Sequence, residues 1–233
     1  MKRFYKDVAA APVEGSAFEI HLDGRPVRTP LRQALRVPAG PLAEGIAGEW
    51  NSQEEDVDVD SMPFTRIAAT AIDRVGSDRA GYTDQIAAYA ETDLVCYRAP
   101  APSGLVMMQS KSWQPLVEWT AETYGAVLQV TVGIAPIEQN PTALARIRDA
   151  LDAHDAYELA ALSVATAACG SVVIGLAMTG NHIDAQAAFE ASQLDESYQN
   201  AIWGVDSEAQ QRRDILQADL KATAEFLTLL RAG

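Results

Sequence analysis

Apolar and polar positions alternate in short extended runs over residues 1–38, take helical spacing from 40 to 50, and return to helical spacing after residue 63. Residues Ala17–Leu22 (AFEIHL) place Phe18, Ile20 and Leu22 on one face, the period of a half-buried strand. Asp23-Gly24 follows, a dipeptide suited to a two-residue hairpin turn. Residues 25–29 form the expected return strand, with Pro26 marking an edge. Residues 34–37 give a further extended run, and residues 3–8 one more. Together they predict a small antiparallel sheet. Gly40-Pro41 then opens a helix with Leu42, Ile46 and Trp50 at helical spacing, so residues 1–62 read as a small α+β domain. The acidic run 54–60 closes it as a solvated loop, and Met62-Pro63 marks the boundary.

From 63 to 233 the pattern predicts a larger helical bundle domain. Ile67, Ala68, Ala71 and Val75 share one face, and Tyr82, Ile86 and Tyr89 another. Residues 105–124 carry Trp113, Leu116 and Trp119, with Pro115 expected to start or kink the helix and Gly125 to cap it. Residues 127–132 (VLQVTV) are the exception, with strong strand propensity. Asn140-Pro141 starts the next helix. Residues 184–202 form one amphipathic helix, and Asp206 caps a last one with Ile215, Leu216, Leu220, Phe226, Leu227 and Leu230 as its apolar stripe.

The run at residues 159–178 carries no charged side chain and is long enough to span a bilayer. Twelve of its twenty residues are Ala, Ser, Thr, Cys or Gly, and its flanks are acidic, which points instead to a buried central helix of the bundle. On that placement, Ala167→Leu is expected to overpack the core.

A net charge of −14 argues against nucleic acid or an anionic membrane as the main partner, since both require cationic patches. Two cysteines, Cys96 and Cys169, make no disulfide framework and fit a reducing compartment. The N-terminal MKRFYKDV has neither the apolar core of a signal peptide nor the character of a transit peptide. No phosphate-binding loop, HExxH, CxxC or GxSxG pattern occurs. His21, His154 and His182 are far apart, and the Asp56/Asp58/Asp60 run lacks the glycine and glutamate of a calcium loop. No catalytic, cofactor or metal residue is therefore assigned. A cysteine hydrolase or transferase using Cys96 and a histidine stands as the enzymatic alternative, and a helical adaptor with another client as a third reading.

The stretch at Trp203–Ala209 (WGVDSEA) sets a large aromatic at a helix break, with acids opening the next helix. Gly204 permits the turn, Asp206 caps and Glu208 favours the helix dipole. Trp203 is either packed there as a brace or exposed as an interface anchor.

Arg3-Phe4-Tyr5-Lys6, LDGRPVRTP at 22–30, Glu49-Trp50 with Gln53, Met62-Pro63 with Thr65, Thr70-Ala71-Ile72-Asp73, the TDLVCYR run at 92–98 and Trp203–Ala209 occur in one order along nearly the whole chain. In this set the chain resembles the ATP synthase assembly chaperones that serve the alpha subunit of the catalytic head. The resemblance implies a non-enzymatic chaperone, with no cofactor. It would bind unassembled alpha subunit and shield the surface meant for the beta subunit until the ring forms. It also implies a small α+β domain before a helical one. Eukaryotic members act in the mitochondrial matrix; as MKRFYKDV does not read as a transit peptide, this chain is expected to be a bacterial relative in the cytoplasm, acting as a monomer without membrane insertion. Trp203, Asp206 and Glu208 are the expected partner-binding residues. Trp50 is expected to pack its helix on the sheet, and Asp93 to cap or to pair with Arg98. The acidic loop at 54–60 is more charged than the resemblance leads one to expect.

Overall fold

The hairpin forms at Asp23-Gly24, where both residues take positive φ (49° and 76°), the backbone of a turn whose twist matches the strands it joins. In the computed structural model, which describes residues 1–204 and 206–233, strand β1 (Val8–Val13) pairs antiparallel with β2 (Ala17–Leu22), Val8 facing Leu22. β3 (Arg25–Pro26) and β4 (Arg36–Val37) pair with different parts of β2, so β2 is the centre of the sheet. The first strand starts at Val8 rather than within 3–8. The amides of Lys6 and Asp7 donate to the Asp23 carboxylate (3.0 and 2.9 Å), and Arg3 N–H bonds the Glu55 carbonyl (2.9 Å), which takes this segment off the ladder. The acidic run is thereby tied to the N-terminal segment, with Val57 buried.

Helix α1 (Gly40–Asn51) has Pro41 in its first turn and buries Leu42, Ala43, Ile46, Ala47 and Trp50 as it packs across β1 and β2. Helix α2 (Pro63–Thr70) continues into a π-helical turn at Ala71–Val75. The first compact unit runs from Met1 to Arg79 and also takes in 156–161 and 222–233. The boundary expected near Met62 falls inside this unit. Hydrophobic periodicity follows the chain in order and carries no sign of a late segment returning to an early one. That return is visible in the Phe64 and Phe226 rings (6.3 Å), the Tyr157 hydroxyl donating to the Arg36 carbonyl (2.5 Å) and the Arg231–Glu158 ion pair (3.0 Å).

The second unit comprises residues 80–155 and 162–221. Its helices are α3 (Arg79–Ala87), α4 (Ser103–Tyr124), α5 (Pro141–Asp152), α6 (Ala156–Cys169), α7 (Val172–Thr179), α8 (Ala185–Ser192), α9 (Leu194–Trp203) and α10 (Ser207–Arg231), of which α3, α6 and α10 extend into the first unit. Trp113, Val173, Ile174, Ala177 and Leu220 lie in its core. Two-residue strands β5 (Tyr97–Arg98) and β6 (Thr131–Val132) pair in parallel, so the strand-prone 127–132 run forms a small sheet of its own. Helix α4 starts at Ser103 and leaves Pro115 internal. Burial of Trp113, Leu116 and Val117 around it outweighs the missing hydrogen bond. Gly125 (φ 70°) caps its end, and the Asn140 side chain accepts from Thr142 N–H to start α5.

The uncharged run at 159–178 is two helices, not one. Gly170 takes φ 63°, and Ser171 caps α7 by accepting from Ile174 N–H (3.0 Å). Every residue of α7 is buried, as expected for the run, but Ala167 on α6 is exposed. The overpacking expected of Ala167→Leu therefore belongs to its fully buried neighbour Ala165. The 184–202 helix also divides, at Gln193, whose backbone (φ −104°, ψ 17°) leaves the helical region.

Candidate partner-binding site

Helix α9 ends at Gly204 (φ 89°), whose amide donates to the Asn200 carbonyl (2.9 Å). Trp203, the last residue of α9, is 78% exposed, so it does not act as a buried brace; Ile202 beside it is 55% exposed. Across the junction, the Asp206 carboxylate accepts from Ala209 N–H (3.0 Å), the capping role its position suggested. Glu208 lies in the first turn of α10 and pairs with Arg212 one turn on (3.1 Å), both side chains being exposed. Its charge is therefore shared with a cation of its own helix. Val205 lies outside the described residues. The junction is held by Arg213, whose guanidinium donates to Ser197 Oγ (2.8 Å) and Gln193 Oε1 (3.2 Å) and lies over the Phe189 ring (5.2 Å). Arg213 fixes α10 against α8 and α9. Ile215, expected in the buried stripe of α10, is instead 63% exposed.

The polar residues of the other stretches that carry the resemblance act as internal brackets. Glu49 in α1 accepts from the amides of Phe64 and Thr65 (2.6 and 2.8 Å) and from Thr65 Oγ1 (2.7 Å), so it caps α2 from a different helix. Burial raises the Glu49 pKa, against the pull of those donors. Gln53 holds the acidic loop, accepting from Asp58 N–H (2.7 Å) and donating to Ser61 Oγ (3.1 Å). Asp73 accepts from Thr29 Oγ1 (2.6 Å) and Leu31 N–H (2.9 Å) and pins the turn after β3. Trp50 is buried in α1, and its carbonyl accepts from the Tyr5 hydroxyl (2.6 Å).

Asp93 caps and does not pair with Arg98. Its carboxylate accepts from Val95 N–H (3.1 Å), Ser171 Oγ (2.6 Å) and Val173 N–H (3.1 Å), so it joins the start of a 3-10 turn (Leu94–Cys96) to the start of α7. Complete burial raises its pKa to about 6 against these donors. Arg98 turns the other way, donating to the Gln109 carbonyl (2.8 Å) over the Trp113 ring (5.3 Å).

Burial pushes the thiols of Cys96 and Cys169 up to about 12, and both are free. At neutral pH Cys96 is a thiol and not the thiolate a nucleophile needs. Among the described residues no cluster of His, Cys, Asp or Glu could hold a metal, and no helix is long and apolar enough to cross a membrane.

The chain matches the family model of the ATP12 chaperone protein over residues 2–121. It is 26% identical over 215 residues to the mitochondrial protein atp12 of Schizosaccharomyces pombe, covering 87% of this chain and 74% of that one. Its fold matches the crystal structure of Atp12 from Paracoccus denitrificans with a TM-score of 0.91 at 36% identity, over 99% of this chain and 98% of that one. An aspartate-to-lysine mutant of the same Paracoccus protein matches equally. On the family match and on a shared fold at this identity, the chain belongs to the ATP12 chaperone family, the assembly chaperones of ATP synthase.

Proposed function

We propose that the protein binds the unassembled alpha subunit of the F-type ATP synthase and shields its beta-subunit interface until the alternating ring forms. The observation that carries this reading is the likeness to Atp12 along 99% of the chain, from the N-terminal sheet through the Trp203 junction. A capping protein requires a complementary surface rather than a nucleophile. The buried thiols, held as thiols, favour this non-enzymatic role over cysteine chemistry. They also suit a reducing cytoplasm, where a monomer would meet newly made alpha subunit. Binding must be weaker than the final assembly so that the beta subunit can displace the chaperone.

Trp203, Asp206 and Glu208 are the proposed contacts. Trp203 offers an exposed aromatic anchor, and the two acids favour a basic patch on the client. The test is capture of purified alpha subunit on immobilised chaperone. Trp203→Ala and Glu208→Lys are each expected to reduce capture while leaving the helical circular dichroism unchanged, because an exposed ion pair contributes little to folding. Capture at the wild-type level by both folded variants would remove the junction from the client-binding surface.

A further inference from the structure

The first unit carries two adjoining concavities. One, of about 610 Å³, lies between the turn after β3 and helix α2, with Trp50 and Met62 in its lining and Leu31 and Val59 at its edges. The other, of about 630 Å³, lies between the N-terminal segment and the hairpin and is edged by Phe4. Trp50 and Arg28 line both, so the two concavities share a wall and together are termed the trough. Its apolar side chains are unusually open for such large residues: Phe4 is 64% exposed, Leu31 63% and Val59 51%.

The charge of this trough runs against that of the chain. The net charge is −14, yet the first concavity is lined by the cations Arg28, Arg66 and Arg74. Its one lining carboxylate, Asp73, is already engaged by Thr29 and Leu31. Asp23, the carboxylate of the second concavity, is engaged by two backbone amides. Arg28, at the junction of the two, makes no hydrogen bond or ion pair through its side chain among the described residues. Trp50 adds a buried indole Nε1–H with no acceptor. Exposed apolar side chains, an uncommitted guanidinium and an unmatched donor are complementary to an extended chain. Such a chain would offer apolar side chains, carboxylates and backbone carbonyls.

We infer that this trough docks an extended segment of the alpha subunit in which apolar residues alternate with acidic ones. The identity of the client rests on the chaperone reading above; the chemistry of the segment rests on the trough alone. Arg28 takes a carboxylate by a charge-assisted, two-pronged hydrogen bond. Leu31, Val59 and Phe4 cover the apolar side chains of the segment.

Two measurements on the full chain separate the docking inference from the chaperone reading. The first follows the indole N–H resonances of 15N-labelled protein during titration with a short capped peptide alternating leucine and glutamate, and with its leucine–lysine counterpart. The overall negative charge favours the lysine peptide, so preference for the acidic one reports the trough. The expected result is a Trp50 shift with the acidic peptide only, weakened about tenfold by Arg28→Gln and largely restored by Arg28→Lys. No Trp50 shift, or equal binding by Arg28→Gln, overturns the inference. The second is capture of purified alpha subunit by wild type, Arg28→Gln and Leu31→Asp. Failure of wild type to capture it counts against the chaperone reading and leaves the peptide result to judge the trough. Capture by wild type and undiminished capture by both variants places the client elsewhere and overturns the docking inference.

Discussion

Asp93 holds the start of a 3-10 turn and the start of α7 with one carboxylate, buried completely. Replacing it by Asn sets an amide NH2 against donors that require an acceptor. Asp93→Asn is therefore expected to cost about 2–4 kcal/mol in urea unfolding. The pH dependence has a definite sign. The folded-state pKa, raised to about 6, lies above the ordinary value of 3.8, so the folded state binds the proton more tightly. The contribution of Asp93 is complete below about pH 4 and declines as pH rises through 6. The advantage of wild type over Asp93→Asn should accordingly shrink between pH 4 and 7; an advantage that grows over this range would contradict the assignment. At the same scale, Cys96 and Cys169 should resist a thiol reagent at neutral pH until the protein is unfolded, since both are buried and protonated. Rapid labelling of native protein would reopen the case for a reactive cysteine.

Among the elements, the α6–α7 pair tests how closely backbones approach in the second unit. A methyl group on Gly175 would meet Thr166 Oγ1 at 2.5 Å and its backbone nitrogen at 3.3 Å. Gly175→Ala should lower stability by about 1–3 kcal/mol in a denaturant melt. Gly170→Ala, at φ 63°, should cost about 1–2 kcal/mol through backbone strain alone, because its Cβ would meet nothing within 4 Å. Gly48 supplies the control. It lies in α1, is exposed and has open space, so Gly48→Ala should stabilise by about 0.4–1 kcal/mol. If all three glycine variants changed stability alike, neither the close approach at 175 nor the left-handed turn at 170 would be real.

For the whole molecule, the dominant quantity is charge. A chain at −14 presents acids at the Trp203 junction and arginines in the N-terminal trough, so both proposed contacts with the client are electrostatic in part. Salt should weaken capture of the alpha subunit, because the screening length falls from about 10 Å at 0.1 M to about 3 Å at 1 M. Pull-downs across that range would show capture declining steadily; capture that rises with salt would mean that apolar burial alone drives binding.

Local chemistry was legible in the sequence. The Asp23-Gly24 turn, the Asn140-Pro141 helix start, the Asp206 cap and the Gly125 stop depend on residues within a turn or two of each other, and each formed where the pattern placed it. Gly170-Ser171 signals the division of the 159–178 run, but the uniform apolarity on both sides of it masks the signal. What the tertiary structure alone decided depends on partners distant in sequence. Glu49 serves the amides of 64 and 65, Asp73 the turn after β3, and Asp93 the start of α7. Periodicity placed Ile215 inside and uniform apolarity placed Ala167 at the core, yet both are exposed, because neither signal says what covers an apolar surface. The membership of residues 222–233 in the N-terminal unit has the same cause. Hydrogen bonds within a few residues are fixed by the chain's own geometry, whereas burial and long-range capping are fixed only when separate segments meet.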